Sequence, residues 1–149
     1  MMCDGTGSER QLIIRDLQDF SLSYLSRLNN VGAQVFASLG LTYGQAMLLL
    51  SVERGHTTPS ELSNLIGVVP QALSALVTKL VKAQLLERQS VSNDARRVFI
   101  ALTQSGQNAC AAVKSAWHEH FPFDLTGLND EELKVMIEAV RIATKHRLI

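Results

Sequence analysis

The chain is short of several residue types that would narrow its chemistry. Only two cysteines, Cys3 and Cys110, occur among 149 residues, and they lie far apart. That spacing argues against a disulfide framework and against a zinc knuckle. Fourteen basic side chains balance fourteen acidic ones, so no overall charge draws the protein to nucleic acid. No apolar run reaches the roughly 18 residues that span a bilayer. The opening MMCDGTGSER has no apolar core of the signal-peptide kind, so the expectation is a cytoplasmic protein with no membrane partner. There is no nucleophile with a base and an orienting partner, no phosphate-cradling glycine loop and no paired carboxylates in a convincing frame. No catalytic residue is therefore expected. His118 and His120 stand two apart on a helical pattern and diverge, so neither a metal site nor a cofactor is expected.

What is present is a folding composition. Apolar residues make up 46% of the chain and charged residues 19%, enough for one domain of ordinary size spanning 1–149. Residues 9–38 carry Ile13, Leu17, Phe20, Tyr24, Leu28, Val31 and Val35 at helical spacing, and a helix this long in a small protein often packs on another chain. Thr42 and Gln45 form a capping box ahead of a helix that runs to about Glu53. Thr58, Pro59 and Glu61 repeat the device, with proline at the first helical position, for a short helix ending near Gly67. A third helix starts near Val69–Pro70. Its Leu73, Leu76, Val77 and Leu80 form a core-facing stripe. The opposite face shows Gln71, Ser74, Ala75, Thr78, Lys79 and Lys82. LLERQSV and RRVFIALT then read as a hairpin, with Val98, Ile100 and Leu102 on one face and turn chemistry from Ser92, Asn93 and Asp94. Thr103 caps a helix from Gln104 to about His120, and Asn129 caps a last one.

The neutrality is global and not local. Between residues 70 and 105, Lys79, Lys82, Arg88, Arg96 and Arg97 face only Glu87 and Asp94, a net +3. A short helix, a tight turn, a second helix and a basic hairpin follow the plan of a winged helix-turn-helix. In that plan the second helix presents short side chains to the major groove, and acids there would repel phosphate. The hairpin tip carries a guanidinium into the minor groove. The expected fold class is mainly α with a small β-hairpin wing: a winged unit over 41–103, flanked by helical dimerisation regions at 9–38 and 104–147.

Over roughly residues 40–106 the sequence resembles the MarR family of transcription regulators. The hairpin pattern of that family, D-x-R followed by an apolar residue and L-T-x-x-G, is matched in register by Asp94, Arg96, Ile100, Leu102, Thr103 and Gly106. Leu41, Thr42 and Gln45 match L-T-x-x-Q, and TPSELSNLIGV and LVTKL…LLER match the segments around the recognition helix. Three positions depart from the pattern. Ala95 replaces an arginine, Val69–Pro70 replace Ser-Arg, and Gln84 replaces the glycine that turns the chain out of the recognition helix. A non-glycine residue is thereby asked to adopt positive φ.

The resemblance implies a homodimer that binds a pseudo-palindromic site on double-stranded DNA as a repressor. It also implies modulation by a small aromatic or anionic effector. By position, Gln71, Ser74, Ala75, Thr78 and Lys79 are candidate base or phosphate contacts. Arg96 would enter the minor groove, oriented by Asp94, while Arg97 and Lys82 would hold phosphate. Phe20, Tyr24, Phe36, Met47 and Trp117 are candidates for an effector crevice, and the same residues also read as core. The competing reading is a winged-helix module for protein–protein assembly with weak or no DNA binding, which the zero net charge favours.

Overall fold

The computed structural model describes residues 5–91 and 94–145, and the side chains of residues 9–90 and 98–142. Six helices and one hairpin follow in the order α1 (Gly5–Ser38), α2 (Tyr43–Glu53), α3 (Pro59–Ile66), α4 (Pro70–Lys82), β1 (Leu86–Val91), β2 (Asp94–Leu102), α5 (Gln104–Glu119) and α6 (Asp130–Lys145). The mainly helical class with one two-stranded antiparallel wing is as expected. α1 starts four residues earlier than its apolar repeat suggests.

The capping chemistry sets the helix starts. The Thr42 side chain accepts from the Gln45 amide, and the Gln45 side chain accepts in return from the Thr42 amide at 2.8 Å. At α3, Thr58 accepts from the Glu61 amide, and its hydroxyl and amide both donate to the Glu61 carboxylate. Those bonds hold the Glu61 carboxyl below the usual carboxylate range. α3 ends at Gly67, whose φ of 73° is the left-handed geometry of a helix C-cap.

α2 is the hub of the core. Ala46, Leu48 and Leu49 on it are fully buried, as are Leu62 of α3 and Cys110 and Val113 of α5, with Leu73, Val77 and Leu80 of α4 nearly so. α2 packs on α1, α3, α4, α5 and β2. The hairpin joins this core through Leu86 and Ile100, which are 1% and 2% exposed. Ile100 is further tied down by its amide, which donates to the Thr57 carbonyl at 2.9 Å. Of the three residues expected to anchor the hairpin, Ile100 is buried and Leu102 half-buried. Val98 is 38% exposed, on the wall of an open cleft that it shares with Leu73, Ser74 and Val77 of α4.

The join between α4, β1 and α5 explains two motif positions. Gln84 takes φ of 58°, and no other non-glycine residue among those described has positive φ. The departure from glycine is thus accommodated and not avoided, against the steric preference of an L-residue. The Gln84 carbonyl accepts from the Thr103 hydroxyl at 2.6 Å, while the same oxygen of Thr103 accepts from the Gly106 amide at 3.0 Å. A Cβ on Gly106 would run into the Leu85 carbonyl oxygen. The L-T-x-x-G segment therefore closes the winged unit onto α5, and glycine is needed for the approach.

Candidate nucleic-acid interface

α3 and α4 cross at 106°, within the range of helix-turn-helix pairs. α4 buries Leu73, Val77 and Leu80 and turns its other face outward. Gln71, Ser74, Ala75, Lys79 and Lys82 are all exposed there. Gln71, Ala75 and Lys82 lie on the stripe opposite Leu73 and Leu80. No acidic side chain occurs on the helix, and the two lysines occupy its last turn, where they also complement the helix dipole. α4 has no side-chain cap: Val69 stands at the N-cap with 63% of its surface exposed.

Thr78 is placed differently from the rest of its set. It is half-buried, and its hydroxyl accepts from the Arg88 guanidinium at 3.0 Å. Arg88 was counted in the basic stretch of the sequence but was not among the candidate site residues. It pairs with Ile100 across the hairpin, so its side chain emerges on the strand face that looks toward α4. The alternation from buried Leu86 was the signal that could have placed it there. An exposed arginine now ties the wing to the middle of α4.

The hairpin runs in regular register from Leu86↔Leu102 to Ser90↔Val98. The next pair is Val91↔Asp94. The irregularity takes up Ala95, Arg96 and Arg97 on the β2 side, at the wing tip, as bulges commonly do where a strand end is re-aimed. The structure places the backbone of Asp94, Arg96 and Arg97 in this bulged end of β2. Their side chains, the Asp94–Arg96 contact, and the turn at Ser92 and Asn93 lie outside the described residues.

The family model described as MarR family matches residues 39–97, the stretch from the start of the winged unit to the bulged strand. The winged unit is similar to the MarR family over that stretch. The MarR fold extends to most of the chain. Wild-type MarR from E. coli in its apo form superposes with a TM-score of 0.72 at 22% identity, over 85% of this chain and 95% of that one. A mutant MarR from E. coli complexed with operator DNA gives 0.69 at 23% identity, over 87% and 94%. NadR in complex with 4-hydroxyphenylacetate gives 0.72 at 21% identity, over 87% and 92%. No curated protein sequence matches the chain.

A cavity of about 370 Å³ opens between this MarR-type winged unit and α1 and α5. Phe36, Met47 and Trp117 line it, together with Tyr43, Leu50, Val113 and a polar set of Glu53, Arg54, Lys114 and His118. Lys114 Nζ and Glu53 Oε1 are paired at 2.8 Å in it. Three of the five residues expected in an effector crevice thus meet. Phe20 and Tyr24 are elsewhere. Tyr24 stacks on Phe123 with centroids 4.4 Å apart, and Phe20 lies against Tyr24 at 5.9 Å. From Phe123 the rings continue through Phe121 and Trp117 to Phe36 and Tyr43. The two α1 aromatics are at the far end of this string because Phe123 of the α5–α6 connection folds back onto Tyr24, while Phe20 stays 64% exposed.

Proposed function

We propose that the chain is a sequence-specific DNA-binding transcription regulator of the cytoplasm, acting as a homodimeric repressor. The observation that carries this reading is the outward face of α4: short and basic side chains, no acid, and a basic hairpin beside it. α4 would enter the major groove with Gln71, Ser74, Ala75, Thr78 and Lys79 toward the bases and near phosphates, and Lys82 on phosphate. Arg96, aimed by Asp94, would enter the minor groove, with Arg97 on the backbone. The solved relative with operator DNA supports the same use of this fold.

Dimerisation is supported by apolar surface that a monomer leaves in water. Leu12, Ile13, Leu17 and Phe20 of α1 are 54–64% exposed, and Val135 and Ile137 of α6 are 68% and 61% exposed. α6 has no extended packing against any other described element. Soluble monomers rarely leave contiguous apolar surface of that extent uncovered. A two-fold dimer through residues 9–38 and 104–147 places two α4 helices on half-sites about 10 base pairs apart.

The cavity is suited to a small aromatic or anionic effector: an apolar floor of Phe36, Met47 and Trp117 with Arg54, Lys114 and His118 at hand. Because it lies between the winged unit and the dimer helices, an occupant that fits one spacing of the winged units better than another changes DNA affinity. The expected coupling is about 1–3 kcal/mol.

The test is fluorescence anisotropy with pseudo-palindromic duplexes at low salt. Arg96→Ala is expected to lose at least tenfold in affinity with unchanged circular dichroism. Unchanged affinity removes the wing from the mechanism. Zero net charge and the uncharged start of α4 favour a second reading, a protein-assembly module. Absence of affinity for any duplex would establish that alternative over DNA binding.

A further inference from the structure

The first two turns of α4 carry unusual chemistry for a helix that reads DNA, and this inference rests on the DNA-binding reading above. From Val69 to Leu76 the sequence VPQALSAL holds no charge. Its exposed members are Val69, Pro70, Gln71, Ala72, Ser74 and Ala75. In helix-turn-helix proteins it is the N-terminal part of the recognition helix that reaches the base edges. The groups on offer there are methyls, one amide and one hydroxyl.

Guanine is read most often by a bidentate arginine or lysine on O6 and N7, adenine by asparagine or glutamine on N6 and N7, and thymine by apolar contact with its 5-methyl. The front of α4 has the second and third kinds of reader and lacks the first. The nearest cation on the helix, Lys79, is eight residues from Gln71, about 12 Å along the axis. Gln71 and Ala75 share the outward stripe one turn apart, about 6 Å, close to two base-pair steps.

Val69 adds the second observation. Valine is among the poorest N-cap residues, and helices that cap with serine or aspartate instead gain about 1 kcal/mol. Val69 forgoes that bond and leaves 63% of an apolar, β-branched side chain in water, more than Leu65 at 37% or Val98 at 38% elsewhere in the winged unit. Among the described residues no side chain caps α4 there and Val69 is not part of the core cluster. A thymine methyl in the groove would cover it.

We propose that the front of α4 reads an A·T-rich half-site. In this reading Val69 and Ala75 contact thymine methyls, Gln71 bonds an adenine edge, and no side chain reads guanine in the major groove. Val69 is the specificity-determining residue. The wing agrees with this preference, since narrow A·T-rich minor grooves attract arginine.

The experiment uses the full-length protein. A preferred site is selected from random duplexes and footprinted. Thymines are then replaced by deoxyuridine, which removes only the methyl, and adenines by 7-deazaadenine, which removes only N7. Deoxyuridine at the position facing Val69 is expected to weaken binding roughly fourfold per half-site, the worth of one buried methyl. 7-Deazaadenine at the position facing Gln71 is expected to weaken it about fivefold. Val69→Ser is expected to abolish the thymine–deoxyuridine difference while raising the melting temperature by about 3 °C, because it supplies the missing cap. A purely structural role for Val69 would not move methyl discrimination and stability in opposite directions. Indifference to deoxyuridine, or a selected site whose binding depends on 7-deazaguanine substitution, overturns the inference and leaves DNA binding standing. Failure to select any site overturns DNA binding and this inference together.

Discussion

Around α2, Leu48, Leu49 and Leu62 are completely buried, whereas Leu17 and Phe20 of α1 are 60% and 64% exposed and Ile137 of α6 is 61% exposed. Both regions are helical and both are rich in apolar residues. The winged unit buries most of its apolar side chains within the protomer, Val69 being the chief exception. Most of α1 and most of the described part of α6 hold theirs out. The difference is one of what each region needs to be finished. The winged unit, with the end of α1 and the start of α5 packed on it, closes its core within the protomer and leaves a polar and basic face to the outside. The long helices are complete only against something else, and in the proposed dimer that is a second copy of the chain.

The comparison can be broken at its largest effect first. Leu49→Ala empties a site at the centre of α2 and is expected to lower stability by about 3 kcal/mol in urea denaturation. Ile137→Glu adds charge to a side chain that contributes little to the protomer. It is expected to raise the dimer dissociation constant roughly 50-fold in sedimentation experiments while leaving the fold intact. If Ile137→Glu instead unfolds the protomer, the two regions are not distinct in the way described. Gly106→Ala tests the seam between them. The added methyl meets the Leu85 carbonyl, and a loss of about 2 kcal/mol is expected. Gln84→Gly acts at the same seam with the opposite sign. Relieving a positive φ of 58° should stabilise by about 1 kcal/mol, part of the left-handed penalty being returned as glycine's own entropy.

The smallest effect concerns Cys110, buried where α5 meets α2. Burial, aided by the Glu53 carboxylate and opposed by Lys114, pushes its thiol up to about 11 from 9.0. The unfolded chain ionises this thiol first, so the stabilising contribution is intact below pH 9 and is lost as pH rises from 9 toward 11. Cys110→Ala should show a shallower fall in denaturation midpoint over that interval than the wild type.

Which features could be read from sequence follows from how local their causes are. The capping boxes at Thr42 and Thr58 depend on residues three apart, and both are present as expected. The positive φ at Gln84 was legible because Gln84 stands where the family pattern has the glycine that turns the chain out of α4. Arg88 was less legible. Its partner Thr78 is ten residues away on another element, and only the strand alternation pointed toward it. Phe20 and Tyr24 were assigned to the crevice as aromatic residues of the first helix, on the resemblance. Their actual neighbour, Phe123, lies a hundred residues on, beyond Pro122, and its position depends on how the α5–α6 connection folds back. Val69 was visible as a departure from a motif, but its exposure at an uncapped helix start belongs to the three-dimensional structure.

One measurement bears most directly on the division between a DNA-facing winged unit and self-associating helices. It is the dependence on salt of the association constant for a selected duplex, at protein concentrations where the dimer is populated. The logarithm of affinity is expected to fall linearly and steeply with the logarithm of salt concentration, as several lysines and arginines release counterions from phosphate. Affinity that is indifferent to salt, or no affinity for duplex DNA even at low salt, would contradict the account.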